Sequence, residues 1–299
     1  MKVLEITNLT KRYGRITAVN QLNLDVEAGQ IMGVLGPNGS GKTTTLGIVL
    51  GITKSDSGHF QWFGGKYSGS EALQRVGSLL ETPNFFPYLA AEDNLKIIAH
   101  IKKSPQTDFN HLLELVNLAH RKDTPFKAYS LGMKQRLAIA ATMVGDPDIL
   151  IFDEPTNGLD PAGIAEVRAT IREIAARGKT IFMASHMLDE VEKVCSHVAI
   201  IKNGNLLATG EVGAILNKEI TVEIAAKDAQ ILRGVLSDVN YISKLDEKQG
   251  LFIVSVKNGF GATDLSQLAF DKGIILTHLV ERKRRLEDKS YLCKPSSPI

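Results

Sequence analysis

A glycine-rich loop near the start of the chain carries the first side chains that could do chemistry. It reads Gly36-Pro37-Asn38-Gly39-Ser40-Gly41-Lys42-Thr43, is followed by Thr44, and matches G-x-x-x-x-G-K-[ST]. Its glycines let backbone N–H groups turn toward phosphate oxygens, and a helix N-terminus favours anions. Lys42 would supply a charge for the β- and γ-phosphates of a nucleotide, and the Thr43 hydroxyl could ligate Mg²⁺. The alternative is an ordinary glycine-rich loop.

Two adjacent carboxylates form the second candidate group. The apolar run 149–152 ends in Asp153 and Glu154, and Pro155 follows. At the end of a strand, Asp153 would hold Mg²⁺ or its water. Glu154, one residue on, would polarise an attacking water as a general base. Alone the pair would be read as an acidic turn; downstream of a phosphate loop it indicates nucleotide hydrolysis.

The elements that must position these residues alternate between strand and helix. The apolar run 31–35 predicts a buried strand before the loop, and a helix follows over 41–51. Residues 3–9 and 18–27 alternate apolar and polar side chains and predict antiparallel strands. Further strands are predicted around 76–80 and at 148–152, 179–184 and 197–201. Further helices are predicted in pieces over 71–120 and at 130–144, 161–177 and 187–194. Alternation of this kind predicts an α/β fold with a largely parallel sheet.

Four further features occur in an order that resembles one family. Residues 130–136, Ser-Leu-Gly-Met-Lys-Gln-Arg, are similar to the signature motif of the ATP-binding-cassette (ABC) ATPases, and residues 157–160, Asn-Gly-Leu-Asp, are similar to their D-loop. His186 resembles the family's switch histidine, and Tyr13 resembles the aromatic residue that stacks on adenine. The resemblance covers residues 2–216. It implies a P-loop NTPase cassette with an antiparallel β subdomain and a helical subdomain, the latter over about 82–145.

The resemblance also implies a Mg²⁺-dependent ATPase that works as a dimer. Two cassettes would enclose two ATP molecules, with the phosphate loop of each facing the signature helix of the other. Ser130 and the first N–H groups of its helix would meet a γ-phosphate across the dimer, and Gly132 would permit close approach. Asp160 joins the nucleotide-binding residues by the same resemblance. Glu154 would activate water, with His186 supporting it.

Two motifs depart from the family pattern. The usual signature is Leu-Ser-Gly-Gly-Gln, but here Leu131 and Met133 replace the first glycine and the glutamine, while Ser130 and Gly132 remain. Glu81 stands where the glutamine of the family's Q-loop is expected. A carboxylate there could reach Mg²⁺ or the water but could not donate a hydrogen bond as an amide does; the alternative is a solvated loop acid. Both departures resemble a subgroup of bacterial ABC exporters linked to resistance against peptide antibiotics.

The character of the chain changes near residue 217. From there we predict strand 219–225, helix 228–237, strands 240–247 and 251–257, helix 262–271 and strand 273–281. This β-α-β-β-α-β order is the ferredoxin-like order. We therefore predict an ABC cassette over 1–216, a small α+β ferredoxin-like accessory domain over 217–293, and a disordered tail over 294–299.

Composition narrows the class of partners. The chain of 299 residues is 43% hydrophobic and carries a formal net charge of +2, which argues against disorder and against a polyanion-coating protein. The basic run 282–285 lacks interleaved aromatic residues, so we expect no nucleic acid partner; a solvated face and a lipid-headgroup contact stay open. Cys195 and Cys293 lie far apart, and we predict a reduced, buried Cys195 and a free thiol at Cys293.

The sequence predicts that a role in transport would need a separate membrane protein, a permease. No window approaches the roughly 18 to 20 apolar residues of a membrane span, and the start lacks a secretory signal. We expect a cytoplasmic protein, peripheral on the inner face of the cell membrane through a permease. The aromatic-rich stretch 85–89 would line the permease groove or pack in a core. A soluble ABC ATPase acting on the ribosome or DNA, a switch without turnover, and the choice between homodimer and heterodimer stay open.

Overall fold

The computed structural model describes residues 1–80, 84–215, 220–248, 250–257 and 259–283. The chain divides into two compact units, Met1–Ile215 and Leu216–Ile299. Glu81, Cys293, the basic residues Arg284 and Arg285 and the tail 294–299 lie outside the described residues. No helix within the described ranges has both the length and the apolar character needed to cross a bilayer.

The first unit is built from short strands and helices. Its described strands are β1 (Lys2–Tyr13), β2 (Ile16–Glu27), β3 (Ile31–Leu35), β4 (Ser57–Trp62), β5 (Val76–Leu79), β6 (Ile149–Asp153), β7 (Thr180–Ser185), β8 (His197–Lys202) and β9 (Asn205–Glu211). Its described helices are α1 (Lys42–Val49), α2 (Gly69–Gln74), α3 (Ala91–Ile101), α4 (Phe109–Leu115), α5 (Leu131–Thr142), α6 (Pro161–Ala176), α7 (Leu188–Val194) and α8 (Val212–Ile215).

A six-stranded sheet forms the centre of this unit. Its order is β5-β6-β7-β3-β8-β9; the strands are parallel except β9, which is antiparallel to β8. Every residue of β6 and β7 is buried, as expected for strands covered on both faces. Because β3, β6 and β7 are parallel neighbours, their carboxyl ends lie at one edge of the sheet. The segments that follow them, which start at Gly36, Glu154 and His186, therefore meet there.

A smaller antiparallel sheet lies beside it, in the order β2-β1-β4. One core joins the two sheets: Leu4 and Leu24 of the small sheet belong to the same buried cluster as Val34, Ile151 and Phe182 of the large one. This core positions β2 beneath the phosphate loop. The α/β prediction and the antiparallel pairing of the first two strands are confirmed.

Two strands escaped the sequence patterns. In β4 only Trp62 is fully buried, so the segment carries little apolar signal. In β9 exposed and half-buried residues alternate without a large apolar run. Both are edge strands, and an edge strand owes its pairing to a neighbour's free hydrogen-bonding groups more than to its own side chains.

Helices α3, α4 and α5 occupy the stretch between β5 and β6. The Ser130 hydroxyl accepts a hydrogen bond from the Met133 N–H at 3.2 Å and caps α5 as predicted. Arg136, buried in α5, donates to the carbonyls of Val116 and Asn117 at 2.8 and 3.0 Å. Its guanidinium also pairs with Glu166 of α6 at 3.1 Å. These contacts hold the signature helix between α4 and α6.

The second unit has its own sheet and core. Its described elements are β10 (Ile220–Ala226), α9 (Ala229–Ser237), β11 (Ile242–Lys248), β12 (Leu251–Val256), α10 (Ala262–Asp271) and β13 (Leu276–Lys283). The strands are antiparallel in the order β11-β12-β10-β13. Val222, Val254, Leu232 and Leu265 pack in one cluster, which places α9 and α10 on the same face of the sheet.

Candidate functional site

The phosphate loop connects β3 to α1 and is shaped by its glycines. A Cβ at Gly36 would lie 2.2 Å from the Ile201 carbonyl oxygen and 2.6 Å from Ser40 Oγ. Gly41 has φ +108°, and a Cβ there would lie 2.1 Å from the Ala18 carbonyl oxygen. Any side chain at either position would collide with neighbouring backbone, so these glycines let the loop close over β2 and β8. The Ser40 hydroxyl is buried and has no hydrogen-bond partner among the described residues, which fits a loop that binds a polar ligand.

Lys42 lies inside this cradle. Its side chain is 5% exposed, and Nζ donates to the carbonyls of Gly36 at 2.8 Å and Pro37 at 3.3 Å. Nζ also forms an ion pair with Glu154 Oε1 at 3.2 Å. The structure therefore brings together the lysine and the second acid of the pair, which are far apart in sequence. The ion pair compensates the buried ammonium.

Glu154 occupies an unusual backbone position at the end of β6. Its φ is +48°, a left-handed conformation that glutamate seldom adopts. Its N–H donates to the Ala184 carbonyl at 3.0 Å, which fixes it against β7. Its Oε2 lies 2.8 Å from His186 Nδ1 and accepts the His186 backbone N–H at 3.2 Å. Lys42, Glu154 and His186 thus form one connected cluster at the carboxyl edge of the sheet.

The predicted magnesium ligands lie beside this cluster. Asp153 is the last residue of β6 and is 8% exposed, whereas Thr43 on the first turn of α1 is exposed. Among the described residues, no group of three or more His, Cys, Asp or Glu side chains could hold a metal ion alone. A hydroxyl and a single carboxylate suit Mg²⁺, which usually completes its shell with phosphate oxygens and water.

The remaining predicted residues fall in different places. Pro37, Asn38 and Gly39 form the exposed crest of the phosphate loop. Thr44 lies in the first turn of α1 and is half-buried. Tyr13, at the end of β1, is 50% exposed, with Lys11 Nζ 5.3 Å from its ring centroid. Glu81 lies outside the described residues.

The family-specific residues belong to α5 and α6. Ser130 is exposed at the start of α5 and is held by that helix. Asp160 is exposed, and its Oδ1 caps α6 by accepting the Gly163 N–H at 3.0 Å. A Cβ at Gly132 would lie 3.6 Å from the Gly163 Cα, an ordinary contact, so its surroundings in the described chain do not demand glycine.

Sequence reasoning missed one buried acid. Glu190 in α7 is 1% exposed and accepts hydrogen bonds from the hydroxyls of Thr156 and Ser185. The sequence placed a helix there but carried no signal for a buried carboxylate, because Glu190 sits among other charged residues of that helix. Only the tertiary fold shows that it faces inward.

Together these features define a class. A glycine loop between a buried strand and a helix, a lysine within it and a carboxylate pair at the end of another parallel strand of the same sheet are the parts of a P-loop nucleoside triphosphatase. His186, which directly follows the intervening strand β7, contacts the second carboxylate. The site can hold phosphates and deliver a base to water.

Comparison with known proteins identifies the family within this class. A family model described as ABC transporter matches residues 19–157. The bacitracin transport ATP-binding protein BcrA of Enterococcus faecalis is 34% identical over 293 residues, which cover 96% of this chain and 94% of that protein. The Nod factor export ATP-binding protein I of Ralstonia nicotianae is 37% identical over 244 residues, covering 79% and 76%. The structure of CbiO1 of Clostridium perfringens, part of the ABC transporter complex CbiONQ, is 25% identical with a TM-score of 0.65, covering 80% and 96%.

The chain belongs to the ABC transporter family. It is an ATP-binding subunit that hydrolyses ATP, dimerises and pairs with a separate membrane permease. As such a subunit it lies on the cytoplasmic side of the membrane, attached through the permease. The predicted family, the ATPase activity and the permease and ATPase-subunit partners are confirmed; the roles of individual residues stay predictions.

Proposed function

We propose that this ATPase drives export of a peptide antibiotic or a related compound, with Glu154 as the base of hydrolysis. The observation that carries the catalytic part is the cluster of Lys42, Glu154 and His186, in which one carboxylate contacts both a phosphate-loop lysine and a histidine. Export and the class of cargo rest on the bacitracin and Nod factor relatives and on the altered signature residues.

Binding residues follow from the geometry of the loop. Residues 36–44 would surround the phosphates, with Lys42 turning from Glu154 toward the β- and γ-phosphates. Thr43 and Asp153 would hold Mg²⁺, which supplies charge neutralisation when bound. Glu81 is proposed as a further contact to the metal or water. The exposed ring of Tyr13 would stack on adenine.

Hydrolysis then needs one proton acceptor. A water attacks the γ-phosphorus, its proton passes to the Glu154 carboxylate, and the bond to the β-phosphate oxygen breaks to give ADP and phosphate. The His186 side chain holds Oε2 of Glu154 at 2.8 Å and so keeps the other oxygen, Oε1, directed toward Lys42. Binding of phosphate would compete for Lys42 and release Oε1 to the water.

The residues on α5 and α6 are proposed to act across the dimer. Ser130 and the N-terminus of α5 are exposed, so they are available to a γ-phosphate held by a second subunit. Because the surroundings of Gly132 in this chain do not demand glycine, we attribute the missing side chain to the approach of that second subunit. Asp160 would contribute at the same interface. Glu81 and the altered signature would adjust these contacts.

The test uses the Glu154→Gln variant of the full chain, with its mass in solution measured with and without Mg-ATP. Glutamine keeps the size and the contact with His186 but cannot accept the water proton. We expect hydrolysis to fall by at least about a hundredfold, ATP binding to persist, and Mg-ATP to convert monomer to dimer.

The matched control is Glu192→Gln, an exposed acid-to-amide change on α7. It should hydrolyse ATP at the wild-type rate and should not trap a dimer. Wild-type hydrolysis by Glu154→Gln would overturn the role of Glu154. Bound ATP without dimer formation would contradict the role of Ser130 across two copies of this chain.

A further inference from the structure

A buried carboxylate links the two segments that carry the proposed base and the histidine. Glu190 is 1% exposed, and its two oxygens have separate partners: Oε1 accepts the Thr156 hydroxyl, and Oε2 accepts the Ser185 hydroxyl at 2.8 Å. Thr156 is 3% exposed and Ser185 is fully buried. The three side chains form one buried hydrogen-bonded group.

The two hydroxyl-bearing residues lie close in sequence to the proposed base and to the histidine. Thr156 lies two residues after Glu154, and Ser185 immediately precedes His186. The Ser185 Oγ also accepts the Met187 N–H at 3.0 Å, and the Ser185 carbonyl accepts the Gly36 N–H at 3.3 Å. The group therefore joins the turn after β6, the end of β7 and the first residue of the phosphate loop.

The choice of a carboxylate has a physical reason. Each hydroxyl has one proton to donate, and Ser185 Oγ already accepts a backbone N–H. Both hydroxyls must therefore donate to the group between them, and a carboxylate offers two acceptor oxygens without a donor. An amide would present one NH₂ group, which would leave one hydroxyl proton buried without an acceptor.

We propose that Glu190 is a positioning residue for ATP hydrolysis, because it holds the Glu154 turn and the His186 segment at a fixed spacing through Thr156 and Ser185. This inference rests on the proposed roles of Glu154 and His186. Glu190 acts through its two hydroxyl partners. It acts on the 2.8 Å contact between Glu154 Oε2 and His186 Nδ1, which depends on the relative placement of the two segments.

The first experiment compares Glu190→Gln with Asp189→Asn in the full chain. Asp189 is the neighbouring acid of the same helix turn, but it is exposed and pairs with the partly buried Arg168 and the exposed Lys193. We expect Glu190→Gln to lower kcat by about ten- to a hundredfold with an unchanged KM for ATP, since small misplacement of a reacting group costs rate and spares binding. Asp189→Asn should leave both constants unchanged.

A second pair of variants separates hydrogen bonding from packing. Thr156→Val removes the hydroxyl and keeps the volume, whereas Thr156→Ser keeps the hydroxyl and loses a methyl group. If the hydroxyl positions Glu154, Thr156→Val should reproduce the kcat loss of Glu190→Gln and Thr156→Ser should retain most of the wild-type rate. If packing alone matters, Thr156→Ser should be the poorer enzyme, and the proposal fails.

A direct readout is the NMR signal of the His186 imidazole, assigned with His186→Ala. We expect Glu190→Gln to shift this signal while those of His59 and His197 stay in place. An unmoved His186 signal together with wild-type kcat would overturn the positioning role. The Glu154→Gln variant keeps the two proposals apart: if it hydrolyses ATP normally, the role of Glu154 fails, whereas normal Glu190→Gln beside an inactive Glu154→Gln rejects only the role of Glu190.

Discussion

Lys42 and Glu154 lie 3.2 Å apart, and the charges of the two side chains neutralise each other in a largely buried place. In the proposed mechanism each side chain has a different partner, which is phosphate for Lys42 and water for Glu154. Incoming phosphate offers Lys42 several oxygens in place of one, so binding energy can separate the pair. We therefore expect bound phosphate to free the Glu154 carboxylate for its proposed role as the base.

Tyr13 provides a prediction for binding alone. Its ring is 50% exposed at the end of β1, so its removal disturbs little of the core. A base stacked on an aromatic ring is worth about 1–3 kcal/mol, and we expect Tyr13→Ala to weaken ATP binding at least about fivefold. Isothermal titration with Mg-ATP measures the loss.

Tyr13→Phe is the control for that prediction. It keeps the ring and removes only the hydroxyl, so it should bind ATP with wild-type affinity. Equal weakening by both variants would contradict stacking and would indicate a role for the hydroxyl. Unchanged binding by Tyr13→Ala would place the adenine elsewhere.

The types of the site residues could be predicted from sequence, but their pairings could not. The loop motif and the acid pair are local patterns, whose chemistry follows from adjacent residues. The contacts between Lys42, Glu154 and His186 depend on the order of strands in the sheet, and strand order is a long-range property. The inward orientation of Glu190 also depends on the tertiary fold, so the local sequence pattern does not indicate it.

At the scale of elements, a single side chain shapes the loop between β5 and α3. Asn94 of α3 is 2% exposed; its Oδ1 accepts the Phe86 N–H at 2.8 Å, and its Nδ2 lies 3.0 to 3.3 Å from the carbonyls of Phe86, Leu89 and Ala90. Phe85 packs edge-on against Phe126, with ring centroids 5.0 Å apart. In this segment the ring of Phe85 therefore packs against Phe126, whereas the rings of Phe86 and Tyr88 are exposed to solvent.

The exposed rings of Phe86 and Tyr88 lead to a prediction about how this chain binds the permease. Phe86 is 59% exposed and Tyr88 is 76% exposed, in a segment that Asn94 holds by hydrogen bonds to Phe86 and Leu89. Exposed aromatic side chains on a rigid loop are typical anchors of an interface. We expect Phe86→Asp to weaken association with the permease by about tenfold or more and to leave ATP binding unchanged, as measured by co-purification and by nucleotide titration.

Leu207→Asp is the matched control for this change. Leu207 is 45% exposed on β9, at the opposite edge of the sheet from β5, which precedes the aromatic loop. It should retain permease association. Loss of ATP binding by Phe86→Asp, or equal loss of association by both variants, would reject the aromatic loop as the docking site.

At the scale of the whole molecule, each unit has a buried cluster of its own. Trp62, the single tryptophan of the chain, lies in the core of the first unit, and its indole N–H donates to the Val49 carbonyl at 3.1 Å. Cys195 is also buried in the first unit. The fluorescence of Trp62 and the reactivity of the Cys195 thiol are therefore two independent probes of the unfolding of the first unit.

Cys195 yields a prediction with a defined pH dependence. Burial raises the pKa of its thiol to about 12, with Glu190 adding to the rise. At pH 8 only about one folded molecule in ten thousand carries the thiolate, whereas an unfolded cysteine with a pKa of about 8.5 is about one quarter ionised. We expect alkylation of Cys195 in a Cys293→Ser background to follow unfolding, with the same urea midpoint as Trp62 fluorescence.

The outcome is read by mass spectrometry across a urea titration. When the pH is raised from 7 to 9, the rate of alkylation of the unfolded chain should increase in proportion to its fraction of thiolate. The folded chain should remain resistant to alkylation over the same range. Rapid alkylation without urea would contradict the buried, protonated thiol. A midpoint well below that of Trp62 would reveal local opening around α7.

The fold class followed from alternation of strand and helix, because fully buried strands such as β6 and β7 read as continuous apolar runs. The ends of strands that depend on pairing with a neighbouring strand could not be predicted in this way. β1 extends to Tyr13, beyond the predicted residue 9, because it pairs with the equally long β2. The edge strands β4 and β9 carry mixed polarity, so only their neighbours reveal them.

The phosphate loop has a consequence for synthesis on the ribosome. It is among the first segments made, yet its floor is completed by the turn after β8: Gly204 donates its N–H to the Ser40 carbonyl at 2.9 Å, and the Ile201 carbonyl lies against Gly36. At about 5–20 residues per second, roughly 10 to 30 seconds separate the two segments in a nascent chain. During that interval the loop lacks this support, so we expect the nascent chain to bind ATP well only after the turn that follows β8 has been made.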